Sequence, residues 1–325
     1  MQSYFIRKNR RSSHSVFSAA LILLLATACE SKESVDALIM QTGTIRNTAL
    51  NEASGMQASR LTAGVFFLHN DDGRPQIYAM DMTGASLGSF RINNVKNRDW
   101  EDITIVPSAF GPLLLLADIG DNESKYGNVV FNFVKEPVPG SNGKYAGSYP
   151  LLHTIHLTYP DGARDAESIA FDPSSDTIYI ISKRDKPARL YSISLQRALE
   201  TEQGELQFRG ELARLRPPDS KDFSRFGRRE GQRIAQPTGL DISTDGKQAA
   251  VISYRSIYIF KREENENWPS AFARKPVEFV GPPSRQEEAI AYAADSSSIM
   301  ITTEGVPAPV FRFRLTDKPQ GTVDN

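Results

Sequence analysis

Short apolar stretches alternate along the chain with turns rich in Asp, Ser, Pro and Gly, a pattern typical of many short β-strands. One stretch recurs with the same opening, which is an oxygen-bearing side chain, a small or polar residue and an aliphatic residue. It occurs at Ser54-Gly55-Met56, Glu101-Asp102-Ile103, Glu167-Ser168-Ile169, Thr238-Gly239-Leu240 and Glu288-Ala289-Ile290. The aliphatic positions are 47, 66, 71 and 50 residues apart. Recurrence of a unit of about this size predicts a β-propeller in which each repeat forms one blade.

Each recurrence is followed by two further apolar stretches, so every unit holds three predicted strands. Fourth strands are predicted at residues 87–92, 151–157, 205–212 and 277–280. The fifth unit has no chain left for a fourth strand, and residues 39–45 can supply it. We therefore predict an all-β protein with a single β-propeller at residues 38–318. Its five four-stranded blades are closed into a ring by an N-terminal strand, which removes the exposed sheet edges.

Two intervals between the repeats are long and hold insertions, at residues 136–149 and 214–236. Neither insertion repeats the opening motif, although a sixth blade inside one of them stays open as an alternative. The second insertion is rich in Arg and also contains Phe223 and Phe226. It is a candidate lid over the channel mouth or a dock for an anionic partner, and the alternative is a solvated loop. The only helix predicted is a short one at residues 195–202.

The N-terminus has the pattern of an export signal. Basic residues at positions 7–11 precede an apolar run at 16–28, which is short for a transmembrane helix. The segment Leu25-Ala26-Thr27-Ala28-Cys29 resembles the bacterial lipoprotein lipobox, and the resemblance implies cleavage before Cys29 and acylation of its thiol. A plain secretory signal is the alternative. The predicted organisation is a signal peptide at 1–28, a tether at 29–37, the propeller at 38–318 and a tail at 319–325.

The residues around the signal boundary also predict a location. Cys29 is the only cysteine, so no disulfide can form within the chain. Glu30 follows it where Asp would retain a lipoprotein in the inner membrane, so we predict an outer-membrane lipoprotein that faces the periplasm. Removal of residues 1–28 leaves 34 Lys and Arg against 39 Asp and Glu. An acidic protein outside the cytoplasm has little reason to bind nucleic acid, and its membrane contact is expected through the lipid.

The oxygen-bearing residue of each repeat suggests a metal site. The innermost strand of each propeller blade lines the central channel, so these residues should form a ring. Carboxylates this close repel one another unless they are protonated or bridged by a cation, and oxygen donors at flexible spacing suit Ca²⁺. In the alternative without a metal, these side chains would bind strand N–H groups or water. If the register of the repeat is shifted by one residue, Asp102 and Glu287 would take the ring positions of Glu101 and Glu288. The predicted calcium ligands are Ser54, Glu101, Glu167, Thr238 and Glu288.

The order hydroxyl, Glu, Glu, hydroxyl, Glu over five blades resembles the calcium-activated apyrases, which are secreted five-bladed nucleotidases. The resemblance spans about residues 50–315 and implies that the same five residues bind an axial Ca²⁺. Thr238 stands where the family would have Ser. The Gly-Gly and His-Glu segments near the apyrase active site are missing, so the resemblance supports the metal site and does not extend to nucleotide hydrolysis. Residues 100–103 and 118–122 also resemble uncharacterised bacterial secreted propellers of the phytase-like and strictosidine-synthase-like groups.

The loops after the second strands open on the same face as the ring and mix acidic with basic residues. Arg and Lys there are suited to an anionic group, and Arg can bind it bidentately. In a metal-assisted hydrolysis, Asp118 or Glu304 would be the base. The alternative is that Asp, Asn and Gly occur here because turns need them. The candidate ligand-binding residues are Asp121, Asn122, Lys183, Arg184 and Arg255.

Two functions therefore compete. The first is a non-enzymatic module of the cell envelope that binds a small anionic ligand or an envelope protein. The second is a calcium-dependent hydrolase of phosphate or ester substrates. The sequence has no nucleophile elbow, P-loop or dinucleotide fingerprint, and His153 and His156 would face opposite sides of one strand. We favour the binding module because no complete catalytic set is visible.

Overall fold

The computed structural model describes residues 36–281 and 286–316. Strand β1 (Asp36–Ile45) precedes the first blade, which contains β2 (Ala53–Ala58), β3 (Val65–Asn70), β4 (Gln76–Asp81) and β5 (Ser86–Asn93). The second blade contains β6 (Trp100–Val106), β7 (Leu113–Asp118), β8 (Val129–Lys135) and, after the short β9 (Ser148–Pro150), β10 (His153–Thr158). The predicted signal peptide, lipidation site and tail lie outside the described residues.

The remaining three blades follow in chain order. The third contains β11 (Ala166–Asp172), β12 (Thr177–Ser182), β13 (Arg189–Ser194) and, after the short β14 (Gln203–Glu205), β15 (Gln207–Glu211). The fourth contains β16 (Pro237–Ile242), β17 (Gln248–Ser253), β18 (Ser256–Lys261) and β19 (Val277–Val280). The fifth contains β20 (Glu287–Tyr292), β21 (Ile299–Thr303) and β22 (Ala308–Thr316). The described residues thus form a five-bladed β-propeller, as predicted.

The ring is closed by the N-terminal strand. Strand β1 pairs antiparallel with β22, from Asp36 opposite Thr316 to Ile45 opposite Ala308, and is the outermost strand of the fifth blade. The prediction of closure by residues 39–45 is confirmed, and the strand begins three residues earlier than expected. This pairing covers the edge that β22 would otherwise expose.

The core is divided among the blade interfaces. Each of five buried apolar clusters joins two neighbouring blades. Innermost strands such as β2 and β6 are therefore buried along their whole length. The outer strand β5 instead has buried residues only at Phe90 and Ile92, which alternate with the exposed Arg91 and Asn93. Continuous apolar runs in the sequence mark second strands such as β7, which is also buried along its whole length, whereas outer strands give weaker signals.

The insertion at 136–149 is not a sixth blade but an addition to existing ones. Its end forms β9, which pairs parallel with β5 of the first blade. Tyr145 packs against Phe67 with ring centroids 5.3 Å apart, and its carbonyl oxygen approaches Gly88. A Cβ on Gly88 would lie 2.1 Å from that oxygen, and φ at Gly88 is +103°, so this crossing requires glycine.

Three helices occur among the described residues. Helix α1 (Leu195–Glu200) confirms the helix predicted at 195–202. Helix α2 (Ser220–Gly231) lies in the Arg-rich insertion, and helix α3 (Trp268–Ala273) packs Trp268 and Phe272 into the core between the third and fourth blades. Helices α2 and α3 were not predicted. Within the described residues, no helix is long and apolar enough to cross a membrane.

Candidate functional site

The five predicted ring residues occupy one structural position. In every blade, the pairing of the first strand with the second shifts by one residue, which is a β-bulge. A bulge leaves one residue out of the hydrogen-bond ladder and redirects its side chain. The residues that the bulges leave out of the pairing are Ser54, Glu101, Glu167, Thr238 and Glu288.

The two hydroxyl groups of the ring connect neighbouring blades. The Ser54 hydroxyl donates to the backbone oxygen of Glu101 at 2.7 Å, and the Glu101 carboxylate lies 3.0 Å away. The Thr238 hydroxyl donates to the backbone oxygen of Glu287 at 2.7 Å. Ser54 still lines the axial cavity, whereas Thr238 does not. The structure therefore brings four of the five predicted ligands to one cavity.

This axial cavity has a volume of about 190 Å³ and a lining that is almost entirely polar. Carboxyl groups in the lining outnumber cationic groups by three. Gly120 lets the loop after β7 approach closely, since a Cβ there would lie 2.4 Å from a carboxylate oxygen of Glu101. The charged lining residues are Asp71, Asp99, Glu101, Glu167, Glu288 and Glu304, with Lys183, Arg184 and Arg233.

Burial and crowding raise the pKa of several of these carboxyl groups. Burial raises the pKa of Glu288 to about 8, and the charge of Glu304 adds to the effect. Burial also raises the pKa of Glu101 well above its usual range, although Lys183 acts in the opposite direction. The pKa of Asp71 and that of Asp99 each rise to about 6, first through burial and then through nearby carboxylates. The cavity therefore favours protons or added cations.

Lys183 lies among the carboxylates. Its side chain is 7% exposed, its ammonium group contacts Oε1 of Glu167, and it lies 5.4 Å from the centre of the Tyr254 ring. The Tyr254 hydroxyl in turn hydrogen-bonds to Glu288. Lys183 was predicted as a ligand-binding residue of a loop, and the structure places it inside the ring, where it offsets part of the negative charge.

One group of three buried carboxylates has the spacing of a cation site. Single oxygens of Glu101, Asp165 and Glu167 lie within 4.8 Å of one another. Two ligands of one Ca²⁺ are at most about 5 Å apart, because each lies 2.3–2.6 Å from the ion. Oε2 of Glu167 has no hydrogen-bond partner among the described residues, so the donor set fits calcium. A second group is more exposed and consists of Glu52, Asp71 and Asp72.

Neither Asp99 nor Asp165 was predicted as a site residue, although the sequence contains a signal for both. Both stand two positions before a ring Glu, and the same position is polar in every repeat. It is occupied by Glu52, Asp99, Asp165, Gln236 and Gln286. Three of these residues, Asp99, Gln236 and Gln286, line the cavity beside the ring.

Two of the predicted ligand-binding residues have structural partners and do not line the axial cavity. Asp121 is buried and accepts hydrogen bonds from the backbone N–H groups of Lys125 and Tyr126. Arg255 is buried as well, and it pairs with Asp222 of α2. Among the other candidates, Arg184 and Asn122 contact each other and line the cavity, and Arg184 also forms an ion pair with buried Asp165 at 2.6 Å.

The two candidate bases differ in their surroundings. Asp118 is buried and forms an ion pair with Arg98 at 2.7 Å, and it does not line the axial cavity. Glu304 does line the cavity and accepts a hydrogen bond from the Gln286 amide at 2.9 Å. Burial raises the pKa of Glu304. Of the two, only Glu304 is placed to meet a ligand in the cavity.

The strand topology defines the class of protein as a five-bladed β-propeller with an acidic axial cavity. No protein-family model matches the chain, and no curated protein matches it. Among solved structures, a luciferin-regenerating enzyme is similar to this chain. The aligned region covers 86% of this chain and 95% of the enzyme's chain, with 10% sequence identity and a TM-score of 0.46. The alignment with Kuenenia stuttgartiensis hydrazine synthase covers 79% of this chain and 56% of the synthase chain, with 15% sequence identity and a TM-score of 0.37. Likenesses this distant carry no argument about function.

Proposed function

We propose that this protein is a lipid-anchored module of the bacterial cell envelope that binds calcium in its axial cavity and a small anionic ligand at the cavity mouth. The observation that carries the cation proposal is the group formed by Glu101, Asp165 and Glu167, whose oxygens lie within 4.8 Å of one another. The proposed location facing the periplasm rests on the sequence of the signal and on Cys29.

The charge of the cavity supports a divalent ion. Three more carboxyl groups than cations line it, and burying ionised carboxylates without compensation is unfavourable. Lys183 already engages Oε1 of Glu167, which leaves Oε2 for the ion. Carboxylate and hydroxyl oxygens with no sulfur or imidazole nitrogen favour Ca²⁺ over transition metals.

Binding is favoured over catalysis by the state of the candidate bases. Asp118 is committed to Arg98 and lies away from the cavity lining. Glu304 is within reach, yet no Cys or His accompanies it among the described lining residues, and the Ser54 hydroxyl already donates to the backbone oxygen of Glu101. A hydrolase would then depend on the cation alone to activate water.

The alternative function, a calcium-dependent hydrolase of phosphate or ester substrates, is favoured by one observation. Glu288 has its pKa raised to about 8 by burial and contacts Tyr254 within the same cavity. A carboxyl group that keeps its proton near neutral pH can act as a general acid. Turnover of aryl phosphate or ester substrates that stops with chelator and with Glu288→Gln would favour this alternative over the binding module.

The cation proposal is tested by metal analysis of mature protein purified without chelator, followed by calorimetric titration with Ca²⁺ and Mg²⁺. We expect about one Ca²⁺ per chain, and at least about tenfold weaker binding in Glu167→Gln, which corresponds to about 1.4 kcal/mol. Asp241→Asn is the matched control, since Asp241 is a buried carboxylate of an inner strand that does not line the cavity. Absence of calcium uptake by the unmodified protein would refute the site.

A further inference from the structure

A second cavity of about 340 Å³ lies between helix α2 and the propeller. It shares the lining residues Arg233, Tyr254 and Gln286 with the axial cavity. The two spaces therefore adjoin, and a ligand in one can contact the same side chains as a ligand in the other. The volume falls within the range of about 300–1,000 Å³ that small-molecule sites occupy. We refer to it as the α2 cleft.

Two arginines give the α2 cleft its charge. Arg225 and Arg233 both line it, and neither forms an ion pair with a carboxylate among the described residues. The guanidinium group of Arg225 lies over the Phe226 ring, 4.9 Å from its centre. Glu230 is the one carboxylate in the described lining, and it is exposed and turned towards Arg229 at 3.9 Å. Guanidinium groups without a counter-ion suit a phosphate or a carboxylate.

Apart from Gln286, the remaining lining of the α2 cleft is apolar or aromatic. Ile234 is buried, Phe226 is half-buried, and Tyr254 adds a second ring. The Tyr254 hydroxyl is engaged with Glu288 on the side of the axial cavity. Flat apolar surfaces next to paired cationic groups are suited to a ligand that has both an anionic end and a flat apolar body.

The first part of helix α2, before Gly227 interrupts it with φ +80° and ψ 173°, is fixed to the propeller and gives the cleft one defined wall. The helix begins with a capping box, in which the Asp219 side chain accepts the Asp222 N–H and the Asp222 side chain accepts the Asp219 N–H. Asp222 also forms the buried ion pair with Arg255, which donates to the backbone oxygen of Arg216. These contacts hold the helix at both its first turn and the segment before it.

We propose that the α2 cleft binds a small molecule that carries a phosphate or carboxylate group on a flat apolar body. Arg225 and Arg233 contact the anionic group, and Phe226 and Tyr254 contact the apolar body. This inference names the ligand class of the binding function proposed above and rests on it. Because the cleft adjoins the axial cavity, the anionic group lies on the side where Arg233 serves both spaces.

The test is calorimetric titration of calcium-loaded mature protein with phenyl phosphate, benzoate and inorganic phosphate. We expect Arg233→Gln to weaken binding of all three anions at least about tenfold. Phe226→Ala should weaken the two aryl anions and leave inorganic phosphate unchanged. Arg228→Gln is the matched control, because Arg228 lies on the same helix, is exposed and does not line the cleft. A melting temperature equal to that of the unmodified protein shows that a variant is folded. If Arg233→Gln is not folded, Arg225→Gln is used in its place.

The outcomes separate the two proposals. Failure of both aryl anions to bind the calcium-loaded protein overturns the ligand inference and leaves the cation site standing. An equal loss in Arg228→Gln also overturns it, because the effect is then one of overall charge. If aryl anions bind through Arg233 while Ca²⁺ alone does not bind, the cleft stands and the cation proposal fails. The relative affinities of phenyl phosphate and benzoate decide between phosphate and carboxylate.

Discussion

Raising the pH from about 5 to about 9 should destabilise the calcium-free protein, and calcium should remove most of that loss. Glu288 is buried, and its pKa rises from 4.5 to about 8 in the folded protein. A raised pKa means that the folded state binds the proton more tightly than the unfolded state does. The stabilisation is therefore complete below pH 4.5 and is lost as the pH rises through 8.

The magnitude follows from the same change in pKa. At 1.36 kcal/mol per pH unit, Glu288 alone contributes at most about 5 kcal/mol. One kcal/mol moves the melting temperature of a domain of 150–250 residues by about 2–4 °C. We therefore expect the melting temperature of the calcium-free protein to fall by roughly 10 °C over this range. Bound Ca²⁺ replaces the proton as the positive partner, so its stabilising effect should grow with pH.

The assay is differential scanning calorimetry between pH 5 and pH 9 with chelator or with millimolar Ca²⁺. Glu288→Gln should flatten the pH dependence of the calcium-free protein. Asp241→Asn is the control, since burial raises the pKa of Asp241 to about 6 away from the cavity. It should alter the dependence below about pH 6 and leave the calcium effect unchanged. A calcium effect equal at pH 5 and pH 9, or a calcium-free protein that gains stability with pH, would refute the reasoning.

Three further substitutions test other parts of the structure. Lys183→Met removes the ammonium group beside Glu167, so it should destabilise the calcium-free protein by about 3–5 kcal/mol in urea unfolding, with much of the loss recovered in Ca²⁺. Asp222→Asn breaks the buried ion pair with Arg255 and should therefore increase tryptic cleavage within α2. The control is Arg229→Gln, a substitution of an exposed residue of the same helix, which should not increase cleavage at the other sites in α2. Cys29→Ser should move the protein from the membrane fraction to the soluble periplasmic fraction, and retention in the membrane would contradict the lipid anchor.

The fold was predictable because the inner strands repeat a local irregularity as well as an apolar pattern. Ser54 and its four counterparts each mark a bulge, so aligning them aligned the blades. The outer strand β19 (Val277–Val280) was predicted residue for residue. Closure by β1 followed from counting, since the fifth repeat lacked a fourth strand and the N-terminal segment had no partner.

Helix α2 escaped prediction because its sequence is mostly polar, with Phe223 and Phe226 as its only large apolar residues. With Arg, Lys, Asp and Ser at most positions, the apolar periodicity that identifies a helix is weak. The start signal was present, since Asp219 and Asp222 form a capping box directly after Pro217 and Pro218. The helix is held mainly by Arg255, which lies thirty-three residues from Asp222 along the chain. Such a long-range partner is invisible in one sequence.

The site was predictable in position and less so in chemistry. The bulge residues were identified, yet Lys183 reaches them from the end of the next strand, and its role depends on where its long side chain points. Arg255 was selected as an anion-binding residue on its type, and the structure pairs it with Asp222. Arginine type alone does not distinguish a buried structural cation from a ligand-binding one.

The positions two residues before each bulge show how one fold can carry two opposite binding preferences. In the first three blades these positions are acidic, with Glu52, Asp99 and Asp165, whereas in the last two they are the neutral Gln236 and Gln286. The neutral half adjoins Arg233 and the α2 cleft. Because each of these positions lies one residue before its inner strand begins, its side chain can vary without changing the strand pairing. The cavity can therefore favour a cation on the side of the second and third blades and an anion beside the fourth and fifth.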